Sequence, residues 1–381
     1  MDNCYSSFMK DIRIATCGWV WAVFVSCLFG SFVSAQGIEN IVDRPGQIVD
    51  HLYDISGVPA VKSVAFTPDG KELWSALLVN KKRGVTIFDV ETGKKITDIN
   101  LNGAGGVEIV FTKDGKKAYV SQMETAQVFE IDTVTKKILR ILKTKSIWTK
   151  IVLLSDDESK LYAANWSGNN ISEIDLVKGK LIRNISSVET PRGVYISRDG
   201  KYAYVAGFAK GEIQKINLVD GTKKIIFKSG GAMRHIVADH DKNILYVSDM
   251  GRGVIFKVDL ATDKVTQFAK TDRNPNTIAL SPDKKILVVS CRGTNFSATD
   301  YYRPGKDWGS VLFFDTQNGK MLDAIVGGNQ PTALAFSNDG SLLAFSDFLD
   351  SRIEIYKIPS YDIFLAGKGG RSAIYKKELK K

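Results

Sequence analysis

The chain has 381 residues, a formal net charge of +10 and 44% apolar residues. That apolar content can fill a large core and excludes a globally disordered polypeptide. Length alone admits either two ordinary domains or one large β domain.

Residues 1–35 read as an export leader. Met9-Lys-Asp-Ile-Arg13 is a short basic start, Ile14 to Val33 is almost wholly apolar, and Val33-Ser-Ala35 offers small residues to a signal peptidase. Gln36 then becomes the first mature residue, and Met9 is an alternative initiator. Two readings compete with cleavage: an uncleaved anchor, since the run approaches the roughly 20 residues of a membrane span, and lipidation at Cys27 in Phe24-Val-Ser-Cys27. The expected location is periplasmic, secreted or at a bacterial cell surface. Cys4, Cys17 and Cys27 all lie in the leader, so Cys291 remains alone and no internal disulfide can form. Cys291 ends an apolar run and reads as a small buried residue rather than a nucleophile.

Beyond the leader one pattern recurs seven times. An acidic residue in the first turn of each copy falls at Asp69, Asp114, Asp157, Asp199, Asp241, Asp283 and Asp339, in steps of 45, 43, 42, 42, 42 and 56. A second marker, at Asp89, Asp132, Asp175, Asn217, Asp259, Asp315 and Tyr356, keeps the same beat. A period near 42 is that of a four-stranded propeller blade. Apolar runs before each first marker, such as Ile109-Val-Phe111, predict a strand covered on both faces. Second strands follow as Ala118-Tyr-Val-Ser121 and Leu245-Tyr-Val-Ser248, and third strands alternate, as in Val128-Phe-Glu-Ile-Asp132. Gly93, Gly179, Gly221 and Gly319 turn the chain into the fourth strand.

The seventh copy lacks a fourth strand. Gly46-Gln-Ile-Val-Asp50, ahead of the first copy, matches Gly93-Lys-Lys-Ile-Thr-Asp98 and is expected to close the last blade. The predicted fold is all-β: a closed seven-bladed β-propeller of four-stranded antiparallel blades, within residues 36–359. Residues 360–381 are expected to be a flexible basic tail, since Gly367 to Lys381 carries six basic residues against Glu378. Removing residues 1–35 leaves the net charge unchanged, so half the excess sits in residues 367–381. Contact with a membrane surface or polyanion is the minority reading of such a tail.

Tyr119-Val-Ser-Gln122, Tyr162-Ala-Ala-Asn165 and Tyr204-Val-Ala-Gly207, with their Asp-x-x-Thr-x-Lys turns, resemble the YVTN-type repeats of bacterial propellers, and the YncE-like group in particular. The resemblance spans essentially the whole mature chain. It implies an exported seven-bladed propeller and carries little about function.

In such blades the regular Asp-Gly and Thr-Gly-Lys turns share one face, where the aspartates serve turn geometry. The irregular loops share the other. Seven residues before each first marker, at the mouth of the channel, stand Lys62, Val107, Lys150, Arg192, Arg234, Asn276 and Thr332. Four cations and no acid would concentrate positive potential there, unless Glu108, Glu124 or Asp249 pairs with them. Candidate ligand-binding residues on this face are Lys62, Lys150, Arg192, Arg234, Trp148, Trp166, Arg252, Arg292, Tyr301, Tyr302, Arg303 and Trp308. The long loop from Arg292 to Trp308 also holds Phe296, Asp300, Lys306 and Asp307, and reads as a lid or partner-contact loop, or as a plug over the channel.

Catalytic candidates are few. Gly231-Ala-Met-Arg-His-Ile236 resembles the Gly-Pro-Arg-His stretch of lactonase propellers related to 6-phosphogluconolactonase, with Met233 in place of proline. That makes Arg234 and His235 candidates for polarising a carbonyl or water. A haem reading by analogy with dissimilatory nitrite reductases lacks both the eighth blade and a Cys-x-x-Cys-His motif. No metal or cofactor is expected. The leading reading is a non-enzymatic, monomeric binding or scaffold module for an anionic small molecule or a protein partner. A lactonase-like hydrolase is the alternative, and single-stranded nucleic-acid binding on Trp148, Trp166 and the basic mouth is a third. Membrane association is expected only through the leader, Cys27 or the tail. Deleting the chain up to residue 58 is expected to abolish the cooperative thermal transition; an unchanged melt would refute closure by an N-terminal strand.

Overall fold

The computed structural model describes residues 46–78, 84–296 and 300–381. The leader, its cleavage site and Cys27 lie outside the described residues. Among those described, strands β1 to β28 form seven four-stranded antiparallel sheets. Taken four at a time, β2–β25 build six blades over residues 61–99, 109–143, 149–186, 191–228, 233–270 and 275–326. The seventh blade joins β26 (Pro331–Phe336), β27 (Leu342–Asp347) and β28 (Arg352–Lys357) to β1 (Asp50–Ser56). The ring is thus closed by an N-terminal strand, as the repeat pattern predicts. That strand begins a few residues later than Gly46, because the amides of Ile48 and Val49 are held by the Asp323 carboxylate of the sixth blade at 2.7 and 3.2 Å.

Burial falls from the axis outward and follows the sequence pattern. First strands of neighbouring blades pack on one another around the channel. Second strands are almost wholly buried, as at Lys117–Gln122 and Ile244–Asp249, whereas the fourth strand Ile138–Lys143 alternates exposed and covered positions. In six copies a Ser or Thr two residues before the marker aspartate donates its hydroxyl to the carboxylate at 2.6–2.7 Å. The same carboxylate accepts the amide two residues further on. These aspartates close turns. In the fifth copy the buried Asp239 takes the Ser/Thr place.

The serine that ends the Tyr-Val-Ser strand links blade to blade. Ser121, Ser248, Ser290 and Ser346 each accept an amide from their own first strand at 3.0–3.1 Å. Each also donates to a first-strand carbonyl of the next blade: Lys150, Asn276, Thr332 and Val61 respectively, at 2.6–3.2 Å. The last of these crosses the ring's seam. There the buried Arg352 guanidinium also binds Asp347 at 2.7 Å, Asp54 at 3.6 Å and Glu354. The seam brings His51, Asp54 and Glu354 within 4.8 Å of one another, but Arg352 already supplies the positive charge.

The C-terminal segment differs from the expected flexible appendage. It forms two short helices, α1 (Tyr361–Ala366) and α2 (Tyr375–Glu378), that pack on the sixth blade. Phe364 and Tyr375 are fully buried, Phe364 stacks on Phe313 at 5.7 Å, and the Arg371 amide bonds Asp323. The basic residues conceal these two aromatic anchors when the segment is read by charge alone. Cys291 is buried as expected, and burial raises its thiol pKa.

Replacing Ser346 by Ala leaves the Val61 carbonyl and Ala333 amide without their seam partner, a loss of about 1–3 kcal/mol for buried polar groups. The variant is expected to melt a few degrees below the parent by calorimetry; an unchanged melting temperature would show that the bond does not hold the seam.

Candidate functional site

The channel mouth is shaped by a backbone device repeated around the ring. In six blades the first strand opens with a register shift, and Lys62, Lys150, Arg192, Arg234, Asn276 and Thr332 lie within the shifted segments. A bulge re-aims a side chain that a regular strand would place on its pleat. Two residues earlier, Ala60, Trp148, Thr190, Asn274 and Gln330 adopt left-handed φ values of 50–62°. Their carbonyls, with that of Ala232, accept the amide of the residue that follows the second strand, at 2.9–3.1 Å. The unusual φ of Trp148 is therefore architectural.

That hydrogen bond defines a second ring. The residue following each second strand is Leu78, Met123, Trp166, Phe208, Met250, Arg292 and Phe348, always nine positions after the marker aspartate. Six of these seven, with Lys62, Val107, Lys150, Arg192 and Arg234 of the first ring, line a cavity of about 500 Å³ that Trp148, Tyr301 and Tyr302 also wall. Phe348 supports it from behind, 5.6 Å from Tyr301 and 6.1 Å from Tyr302. Asn276 and Thr332 do not line it. They are buried, and the Asn276 amide nitrogen donates to the Thr332 carbonyl at 2.9 Å.

The cations meet little acidic compensation. Among the described residues, Lys62, Lys150, Arg192 and Arg234 form no ion pair with a carboxylate. Asp249 is occupied by the amides of Ala232, Gly251 and Arg252 at 2.8–3.0 Å and by Ser229. Glu124 is exposed. Glu108 accepts the Ser63 hydroxyl at 2.8 Å; burial raises its pKa, against the pull of Arg192 and Arg234. Arg192, only 5% exposed, keeps Nη1 without a hydrogen-bond partner.

Burial, then the charges of Arg192, Lys62 and Arg234, push the Lys150 ammonium well below its usual range. Burial likewise lowers Lys62 to about 8, with Arg292 and Arg234 adding to the effect and Tyr301 opposing it. Aromatic faces supply much of the compensation. Lys150 Nζ lies 3.6 Å from the Trp166 ring centre and 5.3 Å from that of Trp148, and Arg292 lies 5.0 Å from Tyr301. Trp166 is held by its neighbour Asn165, which takes the Thr149 hydroxyl at 2.6 Å and donates to Asn170 and Ser172 at 2.7 and 2.8 Å.

Tyr301 brings an acidic group to the cations. Its hydroxyl accepts from Lys62 Nζ at 2.7 Å. Burial works to raise the phenol, but Arg292, Lys62 and its hydrogen bond, and Arg234 outweigh it and bring the pKa down to about 6. The long loop thus inserts a phenol whose acidity is raised by the surrounding cations.

Not every expected residue reaches the cavity. Arg292 joins it, buried to 2% exposure and bonded to Gln330. Arg252 is exposed, donates to the Ser229 carbonyl, and lines a separate hollow with Arg273. Arg303 stacks on Phe296 at 4.7 Å, and Trp308 carries the Lys381 ammonium at 4.3 Å while its amide bonds Leu379. Their loop is turned toward the docked C-terminal segment. Of the Arg234–His235 pair, only Arg234 lines the cavity. Burial and the charges of Arg192 and Arg234 lower the His235 pKa to about 3, so the ring stays neutral and weakly basic. Phe208, Met123 and Phe348 were missed, although their nine-residue offset from the markers is legible in the sequence.

Fold and site together define a seven-bladed β-propeller with an electropositive, aromatic-walled channel mouth. No family model matches the chain. Antigen Lp49 of Leptospira interrogans serogroup Icterohaemorrhagiae serovar copenhageni (strain Fiocruz L1-130) is 34% identical over 309 residues, spanning 78% of this chain and 67% of the relative. The chain belongs to the family of that antigen. Among solved structures, Kuenenia stuttgartiensis hydrazine synthase superposes with a TM-score of 0.67 at 19% identity, covering 80% of this chain and 97% of that one. The Cps50 (Swd1) β-propeller domain of Myceliophteria thermophila gives 0.66 at 13%, covering 82% and 100%. At such identities these two show the fold alone.

An ultraviolet difference titration is expected to reveal one phenol ionising with a midpoint near 6 that disappears in Tyr301→Phe. A titration without such a phenol would remove the ionised tyrosine from the site.

Proposed function

We propose that the protein is an exported binding propeller of the YVTN-repeat, YncE-like kind that accepts an anionic small molecule at its channel mouth. The observation that carries the reading is the pair of buried guanidinium groups, Arg192 and Arg234, without carboxylate partners beside an open cavity, with Arg192 Nη1 unbonded. Holding unpaired charge away from water costs several kcal/mol per ion, so an anion that supplies the missing partner binds with that cost already met by the fold. Export is supported by the leader-like residues 1–35 and by a relative named as an antigen. The hydrolase alternative is less well supported, because Arg234 lines the cavity without His235.

Calorimetric titration of the full chain at low ionic strength with acetate, inorganic phosphate and benzoate tests the reading. At least one anion is expected to bind, with affinity about ten-fold weaker in Arg192→Gln and in Arg234→Gln, the loss typical of a hydrogen bond to a charged group. No binding, or binding indifferent to both substitutions, would refute it.

A further inference from the structure

Charge and apolar surface are not mixed at random in this mouth. The arginines are the most enclosed cations of the first ring: Arg192 and Arg234 are 5% and 7% exposed, whereas Lys62 and Lys150 are half-buried. The aromatic residues stand further out. Trp148, Trp166 and Phe208 are half-buried, and Tyr302 is 51% exposed. A ligand entering from solvent therefore meets rings first and guanidinium groups last.

The rings are also divided into two banks. Blades three and four supply Trp148, Trp166 and Phe208, with the last two 4.9 Å apart between ring centres. Blades six and seven supply Tyr301 and Tyr302, backed by Phe348, to which Tyr302 lies nearly parallel at 19°. Between the banks, blade five offers small residues. Added methyl groups on Gly231 and Gly251 would come within 2.3 Å of Asp249 and 2.9 Å of the Ala232 amide, so these loops are packed too tightly to carry side chains there. The result is a slot with aromatic sides and a cationic floor.

We infer that the ligand is an organic acid with a rigid aromatic body, bound with its acid group on Arg192 and Arg234 and its ring between the two aromatic banks. This rests on the anion-site reading above and narrows it. Small hydrophilic anions would satisfy the floor but leave the walls hydrated, whereas a neutral aromatic would leave the guanidinium groups unpaired. A nucleic-acid strand needs cations along an open groove to track its phosphates, and here the arginines lie at the closed end.

The full chain would be titrated with 2-naphthoate, its neutral twin 2-naphthalenemethanol, acetate, and a ten-residue oligothymidylate, following tryptophan fluorescence and calorimetry. The expected result is 2-naphthoate bound at least about ten-fold more tightly than any of the other three. Trp166→Ala is expected to weaken naphthoate by about five-fold or more, the effect of removing one stacking platform, while Trp166→Phe restores most of it. Arg192→Gln is expected to weaken naphthoate as well; circular dichroism melts confirm that each variant is folded. If acetate binds as well as naphthoate, or if Trp166→Ala changes nothing, the aromatic-body inference fails while the anion site stands. Tightest binding of oligothymidylate would overturn it in favour of a nucleic-acid groove, and tightest binding of the neutral twin would overturn the oriented acid. No binding of any anion would take the inference and the anion-site reading down together.

Discussion

A serine hydroxyl at the end of the second strand can serve as acceptor and donor at once, and the ring uses both capacities. Ser121, Ser248, Ser290 and Ser346 hold the first strand of their own blade by its amide and reach the next blade by a carbonyl. Apolar burial between blades is non-directional; these bonds fix how far one blade slides along the next. In the other three blades the position is Ala76, Ala164 and Ala206. Between blades four and five a different solution appears: Gly193 sits so close to the Arg234 carbonyl that an added methyl would come within 2.9 Å. There direct backbone approach replaces the hydroxyl bridge.

The mouth inherits this rigidity. Its cations lie in strand bulges: the amide after Arg234 is held by the Ser248 hydroxyl, Gly193 after Arg192 packs directly on the Arg234 carbonyl, and Lys62, Lys150 and Arg192 are preceded by a left-handed residue whose carbonyl is tied to the second ring. The bulges aim the guanidinium groups into the mouth, where they are buried without carboxylate partners. The positive field so created lowers the pKa of a phenol on a separate loop, and Tyr301 in turn accepts a hydrogen bond from Lys62.

The repeat made the fold legible, because turn chemistry and strand patterning are local and recur seven times. It also located the cation ring, since Lys62, Lys150, Arg192 and Arg234 hold a fixed offset from the marker aspartates. The second ring had the same offset logic but mixed chemistry, Leu and Met at some positions and Trp, Phe and Arg at others, and periodicity of position without periodicity of type is easy to overlook. Arg303 and Trp308 were misplaced for a different reason. Their loop takes its course from the C-terminal segment, which a local reading treats as a separate basic appendage; its docking depends on Phe364 and Tyr375 finding the sixth blade.

Asp323 has a consequence of a mechanical kind. One buried carboxylate holds the amides of Ile48 and Val49 on the way into the ring and that of Arg371 on the way out. Tension at the N-terminal end of the propeller therefore converges on a strand of blade six, away from the cation ring. Pull at the C-terminal end first loads the contacts of Leu379 and Lys381 with Trp308, in the loop that carries Tyr301, so the two ends are coupled to the binding face to different degrees.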